Sequence, residues 1–167
     1  MMNKCSLIEA GIKAGGSGIY EEDKIWSRYS HDKVDIGEAL AKVIRTLNRV
    51  FPLAKELRAL SVGSSAEPQF RILETNFLGG LYLLDIEKSA LDIVRERLRR
   101  QCTGHVTTIP GDYNKIFLNS PGTDLFLKQH LGGKRIHLVT LHHSLYYCPE
   151  TKWNIIFGNL YRKILDK

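Results

Sequence analysis

The sequence predicts an α/β fold, a mostly parallel sheet with helices on both faces, preceded by a helical extension. Three observations carry this. From residue 59 onward, apolar strand-like stretches alternate with stretches of helical periodicity. The first strand-like stretch runs into small residues, Gly63, Ser64, Ser65 and Ala66, and the second ends in an acid, Asp85. Alternation of this kind implies parallel strands joined by right-handed crossovers, with ligands at the carboxyl ends of the strands.

The helical extension comes first, over residues 1–56. "GIKAGGSGIY" (11–20) reads as a linker, since no GK[ST] follows its glycines as a phosphate loop requires. From Asp35 to about Phe51, Ile36, Leu40, Val43, Ile44, Leu47 and Phe51 recur at helical spacing, with Asp35 and Glu38 placed to cap the start. Pro52 interrupts this amphipathic helix, and "LAKELRAL" continues it by a turn or two at most. Tyr20, Trp26 and Tyr29 read as core of the extension or as pocket lining.

The second region, 57–167, supplies the sheet. Strands are expected at about 58–63, 80–86, 104–109 and 135–141, and helices at about 67–78, 88–101, 115–131 (as one or two) and 150–165. Ser89 and Asp92 form a capping pair for the helix at 88–101, whose buried stripe is Ala90, Leu91, Val94 and Leu98.

Composition sets the outer bounds. At 167 residues, 43% hydrophobic and 25% charged, the chain supports a globular domain with a core. No apolar run approaches the ~20 residues of a membrane span and no apolar signal core opens the chain, so a cytoplasmic location is expected. Cys5, Cys102 and Cys148 are odd in number and lack CxxC spacing, which fits reduced thiols and no metal site. The net charge of +6 is concentrated in residues 116–167, with seven basic against three acidic side chains. Such an excess can attract an anion such as RNA. Lysines and arginines scattered singly, without a stacking-aromatic motif, read instead as a solvated face, so nucleic-acid binding is not the expected function.

The small residues after the first strand let the backbone turn sharply and let a ligand approach it, while Pro68 suits the first turn of a helix. Asp85 follows Gly63 by 22 residues, about the spacing at which such sheets place a carboxylate on ribose hydroxyls. A dinucleotide fingerprint would need glycine at 65 and 68. The chain has Ser65 and Pro68 there, and Glu67 stands where a pyrophosphate would approach. A sulfonium ligand has the opposite demand, because nearby carboxylates stabilise it, which points to S-adenosylmethionine; an NAD-type site is the alternative.

Four stretches, "LSVGSSAE" (60–67), "YLLDIEKSAL" (82–91), "IPGDYNKI" (109–116) and "HLVTLHHSLYYCPE" (137–150), resemble in order the motifs of the class I S-adenosylmethionine-dependent methyltransferases. Within that family the first and last look most like the small-molecule N-methyltransferases of the histamine type. The resemblance spans about 57–165 and implies a Rossmann-like domain that transfers a methyl group to a small-molecule acceptor. It implies cofactor contacts at Ser61, Gly63, Ser65, Glu67, Asp85, Ile86, Asp112, Tyr113 and His142, with Asp112 and Tyr113 meeting adenine. His142 or His143, at the end of the fourth strand, would face the methyl-transfer centre, and a histidine there could act as general base near neutral pH. Only one of the two can face the pocket while the strand continues. Tyr146 and Tyr147 would line an aromatic wall or pack the loop.

Each residue also has a plainer role: Gly63 a turn glycine, Asp85 a helix cap, Asp112 a Gly-Asp turn. Two departures from the family pattern stand out. Where its loop has three alternating glycines after an acid, the matching positions here are Ser61, Gly63, Ser65 and Glu67. The family also has three further strands after the helix at 150–165, so the chain reads as a fragment of a longer protein or as a reduced form of the fold. A sheet left with an open edge would favour a second copy or a partner chain. A methyltransferase-like domain that binds without catalysis is the alternative function.

Overall fold

The computed structural model describes residues 29–50, 56–66, 70–142 and 144–166. The linker at 11–20, Tyr20, Trp26, Cys5 and residues 51–55 lie outside them; of the expected continuation past Pro52, residues 56–60 form a turn and the start of the first strand rather than helix. In chain order the elements are α1 (Asp32–Val50), β1 (Arg58–Val62), α2 (Arg71–Asn76), β2 (Gly80–Asp85), α3 (Lys88–Arg100), β3 (Val106–Pro110), α4 (Tyr113–Phe117), α5 (Ser120–His130), β4 (Leu138–Thr140) and α6 (Trp153–Asn159).

The four strands form one parallel sheet in the order β3-β2-β1-β4. The chain winds outward from β1 to β3, then returns across β1 to lay down β4. Neighbouring loops after β1 and β4 therefore leave in opposite senses, and the crevice between them is the binding place of open α/β sheets. Strand alternation sorts the core. Ala59, Leu81 and Leu83 meet Leu73, Leu91, Val94 and Leu98 of α2 and α3 on one face. Leu60, Val62, Leu84 and Ile109 meet Phe117, Phe126, Ile156 and Leu160 on the other. Both faces are thus covered, as the expected fold requires. Deleting a side chain such as Leu83, fully buried, would cost about 3 kcal/mol.

Several boundaries differ from expectation for local reasons. Helix α1 begins at Asp32, not Asp35, because the Asp32 carboxylate accepts the Lys33 N–H at 2.8 Å and the Ser30 hydroxyl. Of its apolar stripe, Leu40 and Ile44 pack against the core cluster on the α2–α3 side, while Ile36, Val43 and Leu47 stay exposed. The Ser89–Asp92 capping pair does not form. Glu87 is the cap residue of α3, and Asp92 instead pairs with Arg95 at 2.6 Å. The expected helix at 67–78 is seen as α2, which stops at Phe77 when the Phe77 N–H turns back to the Leu73 carbonyl at 3.1 Å.

The expected strand at 104–109 begins at Val106. The stretch 115–131 resolves into two helices, with Pro121 in the first turn of the second. The stretch 150–165 is a 3-10 turn at Glu150–Lys152, then α6, then a π-helical turn at Leu160–Ile164. That last turn brings Leu165 beside Ile136 as an isolated parallel bridge, so the expected strand at 135–141 narrows to Leu138–Thr140. Ile136 donates to the Ile164 carbonyl at 2.9 Å and accepts from Asp166 N–H at 2.8 Å. No described helix is long and apolar enough to cross a membrane.

Candidate functional site

The site is assembled from the loops that follow the four strands. After β1 the chain turns through Gly63 at φ +69° and Ser65 at φ +57°, both left-handed. The Gly63 and Ser64 N–H groups donate to the Leu84 carbonyl at 2.8 and 3.2 Å, which folds this turn onto the end of β2. A side chain at 63 has no room, since a Cβ there would lie 2.8 Å from the Ser144 Cβ. Gly63 therefore answers both a conformational and a steric demand.

Asp85 is the pivot of the second loop. Its Oδ2 accepts the Ser65 N–H at 2.7 Å and its Oδ1 accepts the Glu87 N–H at 2.8 Å. Because Glu87 is the cap residue of α3, Asp85 serves the helix start as well as the cavity. After β3, Asp112 caps α4 by accepting the Asn114 N–H at 2.9 Å. Tyr113, buried, donates its hydroxyl to the Ser144 carbonyl at 2.6 Å, and burial pushes its pKa up to about 12. Asn114 Nδ2 donates to the Tyr147 carbonyl at 3.0 Å.

These residues enclose a cavity of about 250 Å³ at the carboxyl rim of the sheet. Gly63, Ser65, Asp85, Ile86, Asp112 and Tyr113 line it, so six of the sequence-derived positions converge. Tyr147 also lines it, while Tyr146 stands outside, largely exposed and edge-on to Tyr147. The lining holds three carboxylates, Asp85, Glu87 and Asp112, and no lysine or arginine among its described residues. Its field therefore favours a cationic ligand. Among the described residues no group of three His, Cys, Asp or Glu gathers to hold a metal.

The remaining positions are placed differently. Ser61 is fully buried within β1, in register with Leu83 and Thr140 on its neighbours, below the turn. His142 is not among the lining residues. Leu138, two residues before Thr140, packs with the α2–α3 side of the core, and continuing that alternation turns His142 towards α1. Its Nε2 lies 3.2 Å from Asp32 Oδ2, its ring meets Phe70 edge-on at 5.4 Å, and both ring nitrogens are shut from solvent. This geometry does not support His142 as a base or a cofactor contact. Glu67 and His143 lie outside the described residues.

Sequence reasoning missed Glu87, Asn114 and Ser144. The only signal for Ser144 was its place in the loop after β4; its Oγ is buried and has no hydrogen-bond partner among the described residues.

No family model and no curated protein matches the sequence. Solved structures do. An S-adenosylmethionine-dependent methyltransferase from Clostridium acetobutylicum superposes with a TM-score of 0.55 at 13% identity, over 86% of this chain and 52% of that one. A protein from Methanococcus maripaludis assigned to the same enzymes gives a TM-score of 0.54 at 14% identity, over 88% of this chain and 58% of that one. The chain thus spans somewhat over half the length of these structures. At such identities the likeness is one of fold. The chain has the Rossmann-like fold of the class I S-adenosylmethionine-dependent methyltransferases.

Proposed function

We propose that this chain binds S-adenosylmethionine and belongs to an enzyme that transfers its methyl group to a small-molecule acceptor. The observation that carries the reading is the convergence of the Gly63 turn and the Asp85 carboxylate on one cavity whose described charged groups are all acidic. A pyrophosphate would be repelled there, which disfavours the NAD-type alternative.

When bound, S-adenosylmethionine supplies a methyl group activated by its sulfonium. The chain's own residues bind and orient. A carboxylate offers about four acceptor sites, so Asp85 keeps capacity for ribose hydroxyls after engaging two backbone N–H groups. Asp112 likewise keeps an acceptor for an exocyclic amine, and Ile86 and Tyr113 supply apolar walls. Holding donor and acceptor in line supplies ~7 kcal/mol or more of the barrier without acid–base help. With His142 turned away, the described lining offers no imidazole, amine or thiol. The reduced loop, with serine at 61 and 65 and only Gly63 of the family's alternating glycines, favours a second reading, a domain that binds without catalysing transfer. The outer edge of β4 past Ile136 has no backbone partner among the described residues, and a second copy or partner chain there remains part of the proposal.

Isothermal titration tests the reading. S-adenosylhomocysteine should bind and NAD should not, and Asp85→Asn should weaken binding at least tenfold. Binding of NAD alone, or silence with both, overturns it; binding with no methyl transfer to any amine offered selects the second reading.

A further inference from the structure

We infer that Tyr113 and Asn114 act as a clasp that holds the loop after β4 against the Gly63 turn, and that this makes them positioning residues for the adenosyl ligand. The inference rests on the S-adenosylmethionine reading above and adds a role that adenine contact alone would not give these two residues.

Two ties bridge the loops after β3 and β4. The Tyr113 hydroxyl reaches the Ser144 carbonyl at 2.6 Å in a buried setting, and Asn114 Nδ2 reaches the Tyr147 carbonyl at 3.0 Å near the surface. The segment between those carbonyls is the short 3-10 turn Leu145–Tyr147, whose N-cap Ser144 makes no side-chain capping bond and whose internal Tyr147 N–H to Ser144 carbonyl bond is long, at 3.4 Å. Its far end is anchored by buried Cys148, whose carbonyl accepts from Trp153 Nε1 at 3.0 Å, and on the cavity side Tyr113 and Asn114 are the residues that reach across to it. Ser144 is in turn seated on the Gly63 turn, close enough that a Cβ at 63 would collide with its own. Ser144 and Tyr147 are the two described residues this loop contributes to the cavity wall. Both are gripped by their backbone carbonyls, not by their side chains. The Ser144 hydroxyl, buried and without a partner among the described residues, is the polar group the clasp presents to a ligand.

Tyr113→Phe keeps the ring and removes the short bond to the Ser144 carbonyl, leaving it only the 3.4 Å bond from Tyr147 N–H; Asn114→Ala removes the outer tie. Affinity for S-adenosylhomocysteine should fall about tenfold in the first and about fivefold in the second. Because both variants release the same loop, the double variant should lose little more than Tyr113→Phe alone, far short of the product of the two effects. Direct ligand contacts would multiply, so a multiplicative double variant overturns the clasp, as does undiminished affinity in Tyr113→Phe. If Tyr113→Phe does not fold, Asn114→Ala decides: a fivefold loss supports the clasp and an unchanged affinity overturns it. A wild-type chain that binds no S-adenosylhomocysteine removes both the clasp and the functional reading, whereas wild-type binding that the variants leave intact removes only the clasp.

Discussion

The Asp85 carboxylate and the Ser65 backbone N–H meet at 2.7 Å, joining the end of β2 to the turn after β1. With the second bond to Glu87 N–H, the carboxylate is a structural link between two loops and the start of α3 as well as a candidate ligand contact. Asp85→Asn should therefore show two effects. Losing the charge and turning an amide N–H toward one of the backbone donors should lower stability by about 1 to 3 kcal/mol in urea unfolding, alongside the loss of affinity. A variant as stable as wild type would show that the carboxylate does not hold the turn.

Ser65 carries a side chain at φ +57°, where the methyltransferase pattern has glycine. A left-handed conformation costs a non-glycine residue roughly 1 kcal/mol or more. Ser65→Gly should stabilise the folded chain by about 0.5 to 1 kcal/mol, a rise of a few degrees in thermal melting. A lowered melting temperature would mean that the serine hydroxyl contributes more than its backbone strain costs.

Gly63→Ala combines left-handed strain with a 2.8 Å contact to the Ser144 Cβ. It should destabilise by about 2 kcal/mol or more and abolish ligand binding at micromolar concentration. Ser144→Gly in the same chain removes the colliding atom and should recover part of the stability, leaving only the conformational cost. Absence of any recovery in chemical denaturation would place the damage elsewhere.

Burial raises the Tyr113 hydroxyl from 10.0 to about 12. The folded state therefore holds this proton more tightly than the unfolded chain. Its contribution is fully present below pH 10 and is lost as pH rises from about 10 through 12. Unfolding free energies measured across that window should fall more steeply for wild type than for Tyr113→Phe, with the difference reaching about 2 kcal/mol. Parallel curves would contradict the burial of a neutral phenol.

Much of the sheet was legible because its signals are local. Leu60, Val62, Leu81, Leu83 and Leu84 are apolar runs beside turn residues, and Gly63 and Asp85 sit at strand ends that those runs define. The α3 stripe was legible for the same reason, since Ala90, Leu91, Val94 and Leu98 follow helical periodicity. The misses depend on partners distant in sequence. His142 was expected at the reaction centre, but its neighbours are Asp32 and Phe70, and no spacing rule relates position 142 to position 32. The Tyr113–Ser144 bond is of the same kind, 31 residues apart. The π-helical turn at Leu160–Ile164 runs into the Ile136–Leu165 bridge, a pairing of residues 29 apart that the periodicity of the last helix does not announce.

A parallel sheet gathers every loop that builds the cavity at one rim and leaves the other rim to the amino ends of the strands. There Arg58 donates through Nε to the Arg135 carbonyl at 2.8 Å and through its backbone N–H to His137 Nδ1 at 2.8 Å. Cys102, exposed and four residues ahead of β3, belongs to that far rim, whereas Cys148 is buried. Of these two thiols, Cys102 is thus the natural handle for a fluorophore or a solid support, and a dye fixed there would leave the pocket mouth unobstructed while titrations proceed.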